Sequence, residues 1–386
     1  MMSNETYNKE SGTKKRGLAV FYDPHNVYQF LWYYATSGQD IEWDALCLPN
    51  SFQGEYISEW SEKLGIFKNI YRHVELYEGW GLKQQLARFL KMSAYALVGQ
   101  QTRYAKKTIT EMVGHTDYDT MVVLTDMGFI SGMFLLLGKE KEVIVLEDGT
   151  ADYVARSYKT IFSKLNNAHA WKGLLLTAMG YNCFGGTYPL RTTKDCIKYC
   201  SHPDKMLYRD YREMRTLYDF SNTDTELFNS LMERLFPTLA EYFREEREAV
   251  LFTTPVDDYL PEGYEKYCHR VEDYINSKYK TVILKKHPRD NFIYKFAEDV
   301  DVVEIDKSIP AEAMLRFVHP MDLVFMGPSS VNLYLNHTDY KPVVIKFNGL
   351  EEESTKCTSV RAQYMNSVVD HHLELQEYTQ DNIIYL

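Results

Sequence analysis

The sequence predicts an α/β protein built from two Rossmann-like βα domains. Short apolar runs that are typical of buried parallel strands alternate with stretches of helical periodicity, first up to residue 146 and again from residue 249. The chain has 386 residues, which is more than one ordinary hydrophobic core accommodates, so two domains are expected. We place the domains at 1–245 and 246–386.

The first domain begins with a polar stretch, residues 1–16, that we expect to be disordered. Four apolar runs then predict its strands, at 17–22, 44–48, 120–125 and 142–146. Helical periodicity predicts helices at 27–36, 80–113 and 127–137. Strand signals nearly vanish over 150–245, so we interpret this region as helices that complete the domain and bridge to the second. Thr223 and Glu226 have the spacing of a capping box at the start of an amphipathic run through Phe243.

The second domain repeats the alternation of strands and helices. Apolar runs predict strands at 249–254, 281–286, 300–304, 323–326 and 341–345. Helical patterns lie at 263–279, 311–317, 331–336 and from 360 until the apolar end at 383–386. Two unequal βα domains that face a cleft form the GT-B plan.

Composition excludes several classes of function. The net charge of −11 argues against a nucleic-acid partner, which would require a basic face. Six scattered cysteines include Cys196 and Cys200, but no matching Cys/His pair at zinc spacing, so we expect no structural metal and a reducing cytoplasm. The N-terminus resembles no signal peptide, and no apolar run approaches the length of a spanning helix. Lys14-Lys15-Arg16 could contact the inner membrane surface peripherally, or could simply belong to a solvated tail.

Three short motifs directly follow predicted strands: Glu147-Asp148-Gly149, His287-Pro288 and Ser329-Ser330. Ligands of open α/β sheets bind at the carboxyl ends of the strands, so all three motifs point to one cleft. Together they offer a carboxylate base, an imidazole donor and two hydroxyls at a predicted helix start. This set could attack a sugar while holding its departing phosphate.

His287 is distinguished by its context, because His and Pro also meet at Pro24-His25, His202-Pro203 and His319-Pro320. Only His287 follows an apolar strand of the second βα series, with two lysines before it and an arginine after it. Its imidazole could donate to a phosphate oxygen, while Pro288 ends the strand. We include Lys286 and Pro288 among the nucleotide contacts. The alternative is a strand-end histidine bonded to a backbone carbonyl.

The serine and acidic motifs each have a structural alternative as well. The N–H groups at a helix start bind phosphate, and Ser329 and Ser330 would add hydroxyl donors there, yet Ser is also an ordinary N-cap. In the acidic pair, one carboxylate could accept a proton from a sugar hydroxyl while its neighbour orients it. The alternative is a solvated loop.

The chain lacks the sequence motifs of other classes of nucleotide-binding enzyme. No Gly-rich loop of the dinucleotide or P-loop type occurs, which speaks against an oxidoreductase or a P-loop NTPase. We expect no metal requirement and no cofactor.

With these motifs in view, the chain resembles bacterial sialyltransferases of GT-B architecture, the group that includes lipooligosaccharide sialyltransferases and capsular polysialyltransferases. Those enzymes share an acidic-acidic-Gly motif, a His-Pro motif and a Ser-rich motif, in this order. Here the motifs are Glu147-Asp148-Gly149, His287-Pro288 and Ser329-Ser330. The similarity runs from the first predicted strand to Ile345.

The resemblance implies an inverting, metal-independent transfer of sialic acid from CMP-sialic acid to a terminal galactose or sialic acid of a surface glycan. The domain at 1–245 would bind the acceptor, and that at 246–386 the nucleotide sugar. The implied roles are a general base for Glu147, oriented by Asp148, and a donor to the departing CMP for His287. The remaining implied contacts are Ser329 and Ser330 to the phosphate, Glu312 to the ribose hydroxyls, and Thr253 and Thr254 to the nucleotide pocket.

Two alternatives remain open at this point. A Kdo transferase or a teichoic-acid-type polyol-phosphate transferase also pairs a strand-end His-Pro with a cytidine nucleotide. From a different class, the chain could be a glycan- or nucleotide-binding module without activity.

Overall fold

The computed structural model contains two parallel β-sheets, each flanked by helices. The residues that it describes are 14–22, 24–48, 54–72, 82–124, 129–147, 153, 175, 178–181, 193–206, 210–217, 223–255, 264–315, 317, 321–327, 329, 331, 342–346 and 383–385.

The first sheet has seven parallel strands in the order β3-β2-β1-β4-β5-β6-β7. Its strands are β1 (Lys15–Phe21), β2 (Ile41–Cys47), β3 (Phe67–Arg72), β4 (Thr120–Val123), β5 (Glu142–Leu146), β6 (Ile197–Cys200) and β7 (Glu213–Thr216). The strand order reverses between β1 and β4, and such a switch point is where α/β sheets bind ligands.

The second sheet has six parallel strands in the order β10-β9-β8-β11-β12-β13. Its strands are β8 (Ala249–Phe252), β9 (Thr281–Lys285), β10 (Asp301–Ile305), β11 (Asp322–Phe325), β12 (Pro342–Lys346) and β13 (Ile383–Tyr385). Here the order reverses between β8 and β11, where Phe252 stacks on Phe325. The two sheets confirm the predicted pair of Rossmann-like domains on the GT-B plan.

Among the described residues, six α-helices of the first domain and two of the second connect the strands. They are α1 (Pro24–Tyr33), α2 (Gly54–Leu64), α3 (Leu82–Leu97), α4 (Gln101–Val113), α5 (Phe129–Leu135), α6 (Thr225–Leu235), α7 (Tyr264–Lys278) and α8 (Ala311–Met314). Gly99, at φ 68°, separates α3 from α4 and divides the helical stretch predicted at 80–113. The helices predicted at 331–336 and from 360 to 382 lie outside the described residues, apart from Val331, which lies in a turn.

The prediction that 150–245 is helical is wrong for two segments, which form β6 and β7. Lys198 interrupts the apolar pattern of β6, yet it is fully buried and its Nζ donates to the carbonyl of Leu146 at 3.1 Å. The edge strand β7 is mostly exposed, and Arg215 pairs with Glu213 along it. Neither β6, with its buried lysine, nor the polar edge strand β7 shows the apolar pattern from which strands are predicted.

The cap of α6 also differs from the predicted capping box. Asp224 is the N-cap, and its Oδ1 accepts the N–H of Leu227 at 2.9 Å. Thr223 instead meets the hydroxyl of Thr36 at 2.9 Å. The helix ends at Leu235 before Pro237, and the predicted run continues only as a 3₁₀ turn at Leu239–Phe243.

The N-terminal basic residues are partly ordered, contrary to the prediction of disorder up to residue 16. Lys15 begins β1, and the Arg16 guanidinium lies 3.6 Å from the buried carboxylate of Asp44 and over the ring of Tyr118. Arg16 therefore has contacts inside the domain, and the membrane contact stays a prediction. No helix among the described residues has the length and apolar character that crossing a bilayer requires.

One hydrophobic cluster extends from the first domain onto one face of the second sheet. Phe252, Ile283 and Phe325 of that sheet belong to the same buried cluster as the strands of the first domain. The opposite face packs against α7 in a separate cluster that contains Val271 and Ile275. The two domains thus share buried apolar surface, which is the main stabilising term in such contacts.

Candidate functional site

Three neighbouring strands of the second sheet bring the predicted nucleotide residues to one edge. Thr253 and Thr254 follow β8, His287 follows β9, and β11 leads through Gly327 to Ser329. A Cβ added to Gly327, at φ 85°, would lie 4.0 Å from the Thr254 side chain, so these two strand ends are adjacent. The edge includes the β8/β11 switch point, where a Rossmann-like domain binds its nucleotide.

The turn that carries His287 is fixed by Thr253 and Asp290. The backbone N–H of His287 donates to Thr253 Oγ1 at 3.0 Å, and that hydroxyl donates in turn to the buried carboxylate of Asp290. Asp290 also accepts the N–H of Phe292 and the hydroxyl of Tyr294. The expectation that Thr253 lines the nucleotide pocket stays a prediction, and its hydroxyl connects the end of β8 to the His-Pro turn.

The ring of His287 has a defined proton position. Its Nδ1 accepts the backbone N–H of Arg289 at 3.1 Å, so the neutral ring carries its proton on Nε2. Nε2 is therefore the nitrogen that donates. The ring is partly exposed, as a group that meets a substrate must be.

Two lysines join the His-Pro turn to the segment that precedes α8. Buried Lys285 donates through Nζ to the carbonyls of Lys286, Asp306 and Lys307 at 3.1–3.3 Å. Lys307 Nζ reaches the carbonyl of Asp290 at 2.6 Å. Burial lowers the pKa of Lys285 to about 8, although the nearby carboxylates of Glu312 and Asp306 act in the opposite direction.

The nucleotide contact expected of Lys286 stays a prediction, and the ammonium has partners within the second domain. Its side chain is mostly buried, and Nζ donates to the carbonyl of Phe292 at 2.5 Å and lies over the ring of Tyr294. Burial, followed by the charge of Asp290, raises the pKa of Tyr294. Pro288 occupies the turn after His287, as its sequence position implies.

Glu312 lies on α8 and faces the first domain. Its side chain is 6% exposed, and Oε1 lies 3.2 Å from Nδ1 of His25, at the start of α1. Burial acts to raise the pKa of Glu312, but the charge and contact of His25, together with Lys285, outweigh it and hold the pKa below its usual value. The carboxylate expected to bind ribose is paired across the cleft.

The acidic motif begins with a carboxylate that is enclosed by its own domain. Glu147 is fully buried at the end of β5, and its Oε2 accepts the hydroxyl of Tyr153 at 2.7 Å and the N–H of Ser201 at 2.9 Å. Its Oε1 accepts the Ser201 hydroxyl at 2.5 Å. Burial and then the Glu147 charge raise the pKa of Tyr153 far above its ordinary value, so Tyr153 remains a donor.

The acidic motif also holds the turn that follows β6. The N–H of His202 donates to the Tyr153 hydroxyl at 3.1 Å, next to the Ser201 contacts with Glu147. Gln29 of α1 donates to the Glu147 carbonyl at 2.8 Å. Glu147 thus fastens α1 and the β6 turn to the end of β5.

Two predicted site residues, Asp148 and Ser330, lie outside the described residues. Ser329 is partly buried, and its Oγ accepts the N–H of Val331 at 3.3 Å. That contact is of the kind a serine makes at a helix start or a turn, so Ser329 keeps both of its predicted interpretations.

Two pairs of aspartates have the Asp-x-Asp spacing of some metal sites: Asp117 with Asp119, and Asp299 with Asp301. Both pairs lie at amino ends of strands, opposite the cleft edge. Asp119 accepts the N–H of Arg16, and Asp299 pairs with Lys280. Within the described part of the chain, no three His, Cys, Asp or Glu side chains are grouped to hold a metal ion.

Sequence reasoning missed three residues that the structure places at the site: His25, Asp290 and Ser201. His25 follows the end of β1, a signal as good as the one that singled out His287, but it was set aside with the other His-Pro dipeptides. Asp290 follows His287 by three residues within the same turn. Ser201 gave no sequence signal, because β6 was not recognised.

No protein-family model matches the chain, and no curated protein matches it. Solved structures of low identity align with most of its length. They include the UDP-GlcNAc 2-epimerase from Methanocaldococcus jannaschii, with 12% identity, a TM-score of 0.46 and coverage of 95% of this chain and 93% of that chain. MurG from Acinetobacter baumannii has 7% identity, a TM-score of 0.44 and coverage of 96% and 85%. The spinosyn rhamnosyltransferase SpnG has 9% identity, a TM-score of 0.41 and coverage of 94% and 95%. The sheet topology itself identifies this chain as a two-domain α/β protein with the GT-B fold.

Proposed function

We propose that this protein is a glycosyltransferase that moves sialic acid from CMP-sialic acid to a terminal galactose or sialic acid of a bacterial surface glycan. The observation that best supports this proposal is the position of the His287 ring at the carboxyl edge of the second sheet. Its turn is anchored by Thr253 and Asp290, and its proton is assigned to Nε2. A donor fixed in this way can stabilise the charge that develops on a departing phosphate.

The remaining nucleotide contacts follow from the same edge. Thr254 follows β8, Ser329 follows β11 on the same edge of the sheet as His287, and Ser330 is next in sequence. We propose that their hydroxyls and the adjacent backbone N–H groups hold the phosphate of the cytidine nucleotide without a metal ion. The preference for a cytidine nucleotide and for sialic acid rests on the resemblance of the three motifs.

The acidic motif has a different part in this proposal from the one expected. A base must reach the acceptor hydroxyl within hydrogen-bond distance, whereas the carboxylate of Glu147 is enclosed by Tyr153 and Ser201. The assignment of the base to Glu147, oriented by Asp148, stays a prediction. We propose that Glu147 anchors the acceptor-side turns.

The experiment offers the purified protein CMP-sialic acid, CMP-Kdo, CDP-glycerol and, as a uridine control, UDP-GlcNAc. Release of nucleotide is measured with and without galactose- and sialic-acid-terminated acceptors. We expect acceptor-dependent release from CMP-sialic acid alone. Release from CMP-Kdo or CDP-glycerol instead would establish the alternative transferases, and binding of a nucleotide or glycan without turnover of any donor would favour a binding module.

A further inference from the structure

His25 brings an imidazole of the first domain into contact with the second. It lies where the chain leaves β1 for α1, at the switch point of the first sheet. Its side chain is 25% exposed, so part of the ring is accessible, while Nδ1 lies 3.2 Å from the buried Oε1 of Glu312. An accessible imidazole with a carboxylate behind it is the arrangement that orients a general base.

The two candidate bases in the described part of the first domain differ in access. Glu147 is fully buried and accepts donors from Tyr153 and Ser201. His25 is accessible, and its carboxylate partner comes from the domain that carries His287. A side chain in direct contact with the nucleotide domain is well placed to meet an acceptor in the same cleft.

We propose that His25 is the general base for transfer, with Glu312 as the residue that orients it; this rests on the proposed function. The acceptor hydroxyl oxygen forms the new bond to the anomeric carbon, and its proton passes to Nε2 of neutral His25. The bond from the anomeric carbon to the phosphate oxygen breaks, and its electron pair leaves with the nucleotide, which accepts a hydrogen bond from His287. The proton on Nδ1 faces Glu312, which stabilises the imidazolium until it loses a proton to solvent.

The charges around Glu312 support an ionised carboxylate in this role. His25 of α1 faces it from one domain, and Lys285 of β9 faces it from the other. Lys285 is itself flanked by Asp306, Glu304 and Lys307. The Nδ1–H of His25 and the ammonium of Lys285 both favour the ionised form of Glu312, which an orienting carboxylate must have.

In this conformation Nδ1 of His25 lies 3.2 Å from Oε1 of Glu312, which is slightly longer than the hydrogen bonds that charged groups usually form. Catalytic hydrogen bonds commonly tighten only when the substrate is bound.

The chain offers a matched control for this pair. His269 and Glu272 on α7 also combine an imidazole with a buried carboxylate, at 2.6 Å, but both residues belong to the second domain. We expect His25→Gln to lower acceptor-dependent transfer by ~10²–10⁴-fold while CMP affinity is retained. Glu312→Gln should cost less and should move the acidic limb of the pH–rate profile to lower pH, because a negative charge beside the base is lost. His269→Gln should transfer at the wild-type rate.

Histidine-labelled NMR provides a readout that needs no turnover. The proposal requires Glu312→Gln to shift the titration midpoint of His25 downward, and Glu272→Gln to leave it unchanged; equal midpoints in wild type and Glu312→Gln would overturn it. A folded His25→Gln variant that transfers at the wild-type rate would exclude His25 as the base and would leave the proposed function intact. A wild type that transfers from no donor would end the proposed function, and the base role with it.

Discussion

Gln29 follows His25 by four residues on α1, so the two side chains share one face of the helix. His25 contacts Glu312 of the second domain, whereas Gln29 donates to the carbonyl of Glu147 at the end of β5. One turn of α1 therefore links the two acidic residues that the sequence predicted on opposite sides of the cleft. A movement of this turn would change the contacts with both Glu312 and Glu147.

Replacement of His287 by Ala should lower turnover by ~10²–10³-fold with the fold intact, because a fixed donor to the developing phosphate charge is lost. Nucleotide release under saturating donor, with circular dichroism as the check on folding, measures this. His202→Ala is the matched control, since His202 also precedes a proline and follows a strand end, on β6. An unchanged rate in folded His287→Ala would reduce His287 to a structural residue.

Glu147→Gln should lower the free energy of unfolding by about 1–3 kcal/mol, because Gln brings an NH₂ group into a site filled by the donors of Tyr153 and Ser201. Urea denaturation measures the loss. CMP affinity should not change, since the proposed nucleotide site is in the other domain.

Comparing the transfer rates of Glu147→Gln and Asp148→Asn tests which carboxylate of the acidic pair acts as a base. We expect folded Glu147→Gln to retain transfer at permissive temperature. Collapse of transfer in that variant, with His25→Gln active, would restore Glu147 as the base.

Lys285 should make the protein gain stability between about pH 8 and about 10.4, because burial depresses its folded pKa to about 8 and the unfolded chain binds the proton more tightly in this window. Below pH 8 the ammonium is charged in both states, so the full cost of burying it is present. The gain is at most about 3 kcal/mol for a depression of this size.

The test compares urea denaturation of wild type and Lys285→Met at pH 7.5 and 9.5. For each protein, the change in the free energy of unfolding between the two pH values is measured. The difference between the two changes is the contribution of Lys285, because the other titrating groups are the same in both proteins. Lys280→Met, on the surface beside Asp299, is the control and should follow wild type. Parallel curves for wild type and Lys285→Met would contradict the lowered pKa.

Nucleotide binding should need no divalent ion, since hydroxyls, backbone N–H groups and His287 are proposed to hold the phosphate. Calorimetric titration with CMP in the presence of EDTA should give the same affinity as titration with added Mg²⁺. Affinity that disappears on chelation and returns with Mg²⁺ would replace this model with a metal-assisted site.

The sequence by itself determined both sheets in outline and the placement of His287. Apolar runs at β1, β4, β5, β8, β9 and β11 mark buried parallel strands, because both faces of such strands are covered. The position of His287 after β9 then followed from the rule that parallel strands end at one edge. These inferences need only residues that are close together in sequence.

Tertiary structure decided the features that depend on distant partners. Lys198 could enter β6 because the Leu146 carbonyl accepts a hydrogen bond from its Nζ, a contact between residues 52 positions apart. Glu147 could be enclosed because β6 delivers Ser201 beside it. His25 contacts Glu312 because the packing of the two domains brings their side chains within 3.2 Å. Local hydrophobic periodicity does not predict contacts between residues that are distant in sequence. Whether a charged side chain can be buried depends on the groups that fold around it.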